Sequence, residues 1–507
     1  MKLADLMEGL PVIEWKGDRN TEVSDICYHS ERAAAGSAFV AIEGLKSDGH
    51  KYLADAFSRG AVAAAVSKEF CQLAALRSLP QGRTAVRVKD TRAALSRMAA
   101  NFYGKPSEGL TMIGVTGTNG KTSITWMIHA ILQQQYGSVG QIGSLGIYFS
   151  HRWKPSTHTT PESLELQKLL RGMLNSGLKS CVMEVSSHAL ELNRVRDIDF
   201  DGAVFANLTH EHLDFHKSME QYYMAKRKLF YMTGQFNVIN TDDIYGKRLA
   251  LELSSGRGTR LITYGLGGEA HFKAHDIRIH KNYTEFLLVT PTGEMPIKTC
   301  LPGKYNIYNC LAAAACAEAM GLELTQIRDG LEGVRQIPGR FEQIPAEGNV
   351  NIIIDYAHTP DGFRQILETV RQTAKGRIVM VFGCVGERDK SKRSVMGQIA
   401  SKYSDLCILT TDNCRSEDPE DIINQIKKGF IPGTKHVEIL DRETAIRYAI
   451  LSSKENDTIL ITGKGHEQRQ IIGDTVYYFN EREIISVALR ERSRQAVLGA
   501  KVAQMPV

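Results

Sequence analysis

The chain has 507 residues, 43% of them hydrophobic and 23% charged, which is too long for one ordinary core and too apolar for a disordered or fibrous chain, so several globular domains are expected. Its 62 basic residues are interleaved with 57 acidic ones to a net charge of +5, and the absence of a basic block argues against a nucleic-acid partner. Neither a long apolar run nor a signal-like N-terminus is present, which argues against membrane insertion and for a cytoplasmic protein.

Taken in chain order, residues 1–108 mix short apolar stretches such as Ser37–Ile42 with an alanine-rich run, Leu53 to Ala65, that reads as helix. This predicts a small α/β domain. A new unit, 109–337, starts where the apolar run Leu110–Val115 meets the turn Thr116-Gly-Thr-Asn-Gly-Lys121, followed by an apolar helical segment, Ile124–Leu132. Strand, glycine loop and helix in that order make a phosphate-binding unit, in which small residues let backbone N–H groups close around phosphate oxygens and the helix N-terminus adds its positive dipole end. Here Gly117, Thr118, Asn119, Gly120, Lys121, Thr122 and Ser123 form the loop, with Lys121 for the terminal phosphates and Thr122 for Mg²⁺. Val115 stands where the usual spacing has its first glycine.

Two further apolar runs, Ser180–Val185 and Gly202–Phe205, end in polar residues, as parallel strands carrying a site at their C-terminal ends would. Glu184-Val-Ser-Ser-His188 follows the first run and Asn207-Leu-Thr-His-Glu-His212-Leu-Asp-Phe-His216 the second, bringing carboxylate and imidazole ligands toward the triphosphate. A helix is expected over Tyr308–Met320 and a boundary near Pro338. In 338–507 the runs Asn351–Asp355, Arg377–Phe382, Leu406–Leu409 and Thr458–Ile461 alternate with helix-like stretches, which predicts a Rossmann-like doubly wound sheet. The tail after Arg494 is expected to fray. Nine cysteines without a C-x-x-C spacing suggest buried thiols and neither a disulfide framework nor a zinc site.

Eight segments taken together, GVTGTNGKTS, TTPESLELQ from Thr159, EVSSHAL from Glu184, NLT..HLDFH from Asn207, NIYN from Asn306, PGRFE from Pro338, DYAHTPD from Asp355 and GKGHE from Gly463, resemble the Mur ligase family in order and spacing, and TTPE, EVSSHAL and GKGHE favour its MurE branch. The resemblance implies an α/β protein of three domains: an N-terminal UDP-substrate domain, a central ATPase domain and a C-terminal amino-acid domain. It further implies an ATP-dependent ligase that phosphorylates a carboxylate and lets an amine attack the acyl-phosphate, in the branch that extends UDP-N-acetylmuramoyl-L-alanyl-D-glutamate. ATP and Mg²⁺ are the implied cofactors. A UDP-linked muropeptide and an amino acid are the implied substrates, and a monomer is expected.

Carried over by motif, Lys121, His212 and Lys226 are catalytic. Thr122, Glu184, His212 and Lys226 serve metal, with Lys226 as a carbamate. Asn309, Arg340 and Asp355 contact the nucleotide; Ser30, Thr159, Thr160, Ser187 and Arg194 contact the UDP substrate. Asp412-Asn-Cys-Arg415 resembles the signature for meso-diaminopimelate, so Asn413 and Arg415, with Arg388, Gly463 and Glu467, are read as the acceptor pocket, because an arginine fork suits a distal carboxylate that lysine lacks.

The chain departs from the pattern in places. Cys414 replaces a proline, which predicts a looser loop. Val385 and Glu387 alter a neighbouring motif, and His29 and Glu31 flank Ser30 with inverted charges upstream of the retained Lys46-Ser-Asp-Gly-His50 loop. A paralogue with another acceptor or donor, and a non-catalytic nucleotide-binding scaffold, remain as alternatives.

Overall fold

The computed structural model describes residues 1–503 except 45, 46, 78, 150, 151 and 257, so Lys46 of the retained loop lies outside the described residues. The N-terminal sheet has five strands in the order Val12–Lys16, Thr84–Val88, Ala63–Val66, Ser37–Val40, Asp25–Cys27, parallel except for the first pair. The alanine-rich run is not one helix. Its helix stops at Ser58, and Ala63–Val66 is a strand. Gly60, at φ +108°, turns the chain against Ala35, where a Cβ would meet backbone at 2.8 Å. The alanines then pair on both sides within the sheet, so tertiary pairing overrides their helix propensity.

The largest sheet has eight strands. Its parallel part runs Arg260–Tyr264, Thr233–Asn240, Phe200–Phe205, Thr111–Thr116, Ser180–Glu184, Gly140–Gly143, and an antiparallel hairpin, Gly146–Phe149 and Arg152–Lys154, extends it. The strand before the phosphate loop therefore lies between the two strands whose ends carry Glu184 and Asn207, and all three open on one edge. The helix foreseen over Tyr308–Met320 begins earlier and spans Lys304–Ala319. Its fully buried run Cys310–Ala317 is mostly alanine, which lets it share one core with Ile124, Ile128 and Ile131 of helix Lys121–Tyr136. A three-stranded antiparallel sheet, Lys273–Ile279, Thr284–Thr290 and Gly293–Thr299, was not foreseen.

The C-terminal sheet runs Glu342–Ile344, Asn351–Asp355, Thr458–Thr462, Ile378–Phe382, Leu406–Leu409, His436–Glu438, parallel except for the first pair. Helices Pro360–Thr373, Lys392–Tyr403 and Pro419–Lys427 cover one face; Arg442–Leu451 and Glu481–Ala503 cover the other. The last helix, Glu481–Ala503, continues past Arg494, beyond which the tail was expected to fray; residues 504–507 lie outside the described residues. That helix is anchored at its start by Glu481, which accepts two hydrogen bonds from the fully buried Arg442 at 2.9 and 2.7 Å. All nine cysteines are free, and seven are buried. No described helix is long and apolar enough to cross a membrane.

Candidate active site

Val115 is buried inside the strand and paired with Glu184, so the position that departs from the usual loop spacing belongs to the sheet. The loop proper is shaped by Gly120, at φ +87°, where a Cβ would lie 2.6 Å from Asn309 Oδ1. Asn207 pins it from the neighbouring strand, its carbonyl accepting from Thr118 N and its Oδ1 from Asn119 N, both at 2.9 Å. Lys121 starts the helix and folds back to donate to Gly117 O at 2.8 Å and Thr118 O at 2.9 Å. Burial lowers its pKa. Ser123 is buried behind it.

Thr122 Oγ1 donates to Glu184 Oε2 at 3.1 Å and accepts from Arg340 at 2.9 Å, so two predicted residues converge on the hydroxyl of a third. The other oxygen of Glu184 accepts from Ser144 N at 2.7 Å. Lys226 is 1% exposed and donates to Gly117 O at 2.8 Å, with its ammonium over the Tyr222 ring. Burial, and then the Lys121 charge, pushes its pKa well below the usual lysine range. His212 sits at φ +56° at the head of the short helix Leu213–His216, and burial drives it down to about 2. It is therefore neutral at pH 7 and keeps a lone pair to offer.

Thr118 to Ser123, Thr159, Glu184, His212, Asn309, Arg340, Asp355 and Arg388 line one cavity of about 500 Å³. Asn309 donates to Asn306 Oδ1, and Asp355 accepts from Phe341 N and Ala357 N at 2.7 Å each, which fixes its carboxylate while burial raises its pKa. A second cavity of about 160 Å³ is lined by Arg388, Asn413, Arg415, Gly463 and Glu467, and shares His212 and Arg388 with the first. Asn413 is held between Glu467, which accepts at 3.1 Å, and Lys464, which donates at 2.8 Å. The loop with Cys414, expected to be looser, is closely packed. Cys414 is buried, its carbonyl accepts from Glu417 N, and Gly386 packs on that carbonyl so closely that a Cβ would lie 1.9 Å from it, so neighbouring backbone supplies the restraint a proline would have given.

The donor-side residues divide. Thr159 hydrogen-bonds Ser144 Oγ at 2.9 Å, Thr160 donates to Glu184 O, Arg194 donates to Thr160 O, and Ser187 pairs with His216 Nε2. Ser30 does not join them; it lies buried in the N-terminal unit, bonded to Asp55. Its neighbours bridge the gap, with Tyr28 donating to Glu165 at 2.9 Å and Arg32 pairing with the same carboxylate at 3.7 Å. Among the described residues, Glu43, Asp48 and His50 bring three ligand atoms together away from this site, but Lys68 and His50 already engage Asp48.

Three family models match the sequence: the Mur ligase middle domain over residues 115–317, the glutamate ligase domain of Mur ligases over 339–465 and the Mur ligase family catalytic domain over 22–103. The chain belongs to the Mur ligase family. Along 97% of its length this Mur ligase is 44% identical to the whole UDP-N-acetylmuramoyl-L-alanyl-D-glutamate--2,6-diaminopimelate ligase of Caldanaerobacter subterraneus subsp. tengcongensis, and along 96% it is 43% identical to 99% of the enzyme of that name from Clostridioides difficile. A solved structure of a ligase with the same name aligns at a TM-score of 0.68 and 28% identity, covering 97% of this chain and 99% of that one.

The structure adds residues to this Mur ligase site that the sequence did not single out. Glu211 is 7% exposed, borders both cavities and meets His358 Nε2 at 3.2 Å and Lys392 Nζ at 3.6 Å. Burial alone would raise it, but His358 and Lys392 hold it well below the usual carboxylate range. Its place between two histidines in His210-Glu-His212 was the available signal. Lys464 is fully buried against Asp412 at 3.4 Å inside the GKGHE segment, and Asp361 accepts from Asn119 Nδ2 at 3.0 Å across the cleft.

Proposed function

We propose that this Mur ligase uses ATP to add meso-diaminopimelate to UDP-N-acetylmuramoyl-L-alanyl-D-glutamate through an acyl-phosphate, in peptidoglycan precursor synthesis. The observation that carries the acceptor assignment is the smaller cavity, where Asn413, Arg415, Gly463 and Glu467 meet beside the nucleotide cavity. An arginine there suits a second carboxylate, and Glu467 suits a second ammonium. The names of the relatives agree with this reading.

Phosphoryl transfer is mainly positioning and charge neutralisation. Lys121 is placed to turn from Gly117 O to a γ-phosphate. The Thr122 hydroxyl beside the Glu184 carboxylate is a fitting oxygen pair for one Mg²⁺, and neutral His212 with a carbamylated Lys226 would hold a second. The ions would offset the charge of two phosphates and a carboxylate brought together. Asn309, Arg340 and Asp355 hold the nucleotide, and Thr159, Thr160, Ser187 and Arg194 hold the donor. His212 and Arg388 line both cavities, so acyl-phosphate and amine would meet there. The division into units 1–108, 109–337 and 338–507, a monomeric state and a cytoplasmic setting belong to the same proposal.

The test is ADP release with the UDP-dipeptide donor and either meso-diaminopimelate or L-lysine. Turnover with the first and little with the second is expected; a preference for L-lysine overturns the acceptor assignment.

A further inference from the structure

A cavity of about 470 Å³ lies outside the nucleotide and acceptor cavities and nearly equals the former in volume. Its walls come from helix Lys121–Tyr136, which brings Trp126, from the hairpin that carries Tyr148 and Trp153, and from the connector bearing Arg335 just before the C-terminal sheet. Two of the three tryptophans in the chain line this one hollow. Pockets that combine aromatic walls with a few polar groups are the usual form of small-molecule sites.

Trp153 is 59% exposed yet held in place. Its indole N–H donates to Leu145 O at 2.9 Å, and the ring lies over Gly146, where a Cβ would sit 2.5 Å from the indole nitrogen. A large ring fixed in water is surface left for contact. Arg335 is also exposed and donates to the Cys300 sulfur at 3.7 Å, a weak acceptor for a strong donor fork. Glu184 is the acid among the described lining residues, and Thr122 and Ser144 already bind it from the nucleotide side. The hollow is therefore aromatic inside and cationic at its rim.

We propose that this cavity is a binding site for a small planar aromatic carboxylate, with its ring against Trp126, Tyr148 and Trp153 and its carboxylate on Arg335. The site touches the catalytic apparatus at one point. Gly143 lines it, and a Cβ there would lie 2.3 Å from Glu184 Oε1, so the missing side chain is what lets Glu184 reach both cavities.

Calorimetric titration of the full chain with 2-naphthoate tests the site. Single-site binding is expected, weakened at least tenfold in Arg335→Ala and in Trp153→Ala, both replacements of exposed side chains that leave ADP affinity unchanged. The uncharged 2-naphthylmethanol should bind at least tenfold more weakly to the wild type. Absence of binding at millimolar 2-naphthoate, or equal affinity in wild type and both variants, overturns the proposal.

Discussion

Lys121 and Lys226 donate to the same acceptor, the carbonyl oxygen of Gly117, each at 2.8 Å. Two ammonium groups so close in a buried place repel, and burial together with the Lys121 charge pushes Lys226 toward the neutral amine, the form that reacts with carbon dioxide. Lys226→Ala is expected to lower kcat at least 100-fold and to regain part of it with a short-chain carboxylate. Carbon-13 NMR in labelled bicarbonate should show a carbamate signal that the variant lacks. Full activity of the variant would sink the assignment.

Arg415 reads the distal carboxylate of the acceptor in the proposed reaction. Its guanidinium is held from behind by Glu387 at 3.7 Å, and Ser416 Oγ donates to that carboxylate at 2.6 Å. Leaving a charged partner unpaired costs about 2 to 5 kcal/mol. Arg415→Ala should therefore reduce kcat/KM for diaminopimelate at least 30-fold while ADP affinity stays unchanged by titration; an unaltered kcat/KM would refute the role.

Gly386 should tolerate no side chain. A Cβ there would press on the Cys414 carbonyl, backbone that cannot swing aside. Gly386→Ala is expected to raise KM for the acceptor at least tenfold and to lower the urea midpoint; wild-type values for both would show that the two loops are not coupled.

On the donor side, Glu31 is exposed and its neighbour Arg32 pairs with Glu165, so Arg32 is drawn away from Glu31 and a negative charge is left toward solvent. Glu31→Arg should tighten binding of UDP-N-acetylmuramoyl-dipeptide several-fold by calorimetry, with a gain that shrinks in high salt. A loss of affinity would place the diphosphate elsewhere.

The pH dependence of stability should follow the buried imidazoles. Burial lowers His129 from 6.5 to about 4. Between those values the unfolded chain binds the proton and the folded chain does not, so stability is full above pH 6.5 and falls down to pH 4, by at most about 3 kcal/mol for this group. His188 and His216, also lowered to about 4, act in the same direction. Urea midpoints from pH 7 to 5 should fall, less steeply in His129→Gln; equal slopes would contradict the shift.

Much of this was legible from one sequence because catalysis uses rare residue types at fixed spacing. Gly120, Lys121, Thr122 and Glu184 could be named since a phosphate and a cation leave few alternatives. Ser144 and Glu211 could not, because a serine on a turn and a glutamate between histidines are common and only their placement makes them part of the site. Local composition misled where pairing decides, as at Ala63–Ala65, and the hairpin through Trp153 gave no strong alternating pattern to read.

The smaller cavity, the proposed acceptor pocket, draws Glu211 and His212 from the loop after Phe205, Asp214 from the short helix Leu213–His216, and Arg388, Asn413, Arg415, Gly463 and Glu467 from loops of the C-terminal sheet. On the proposed assignment, choice of amino acid is therefore not a portable module. A chimera that grafts the C-terminal half of a lysine-adding relative onto this chain would carry the new reader but keep the old counter-face, and the exchange should work only when residues 210–216 travel with it.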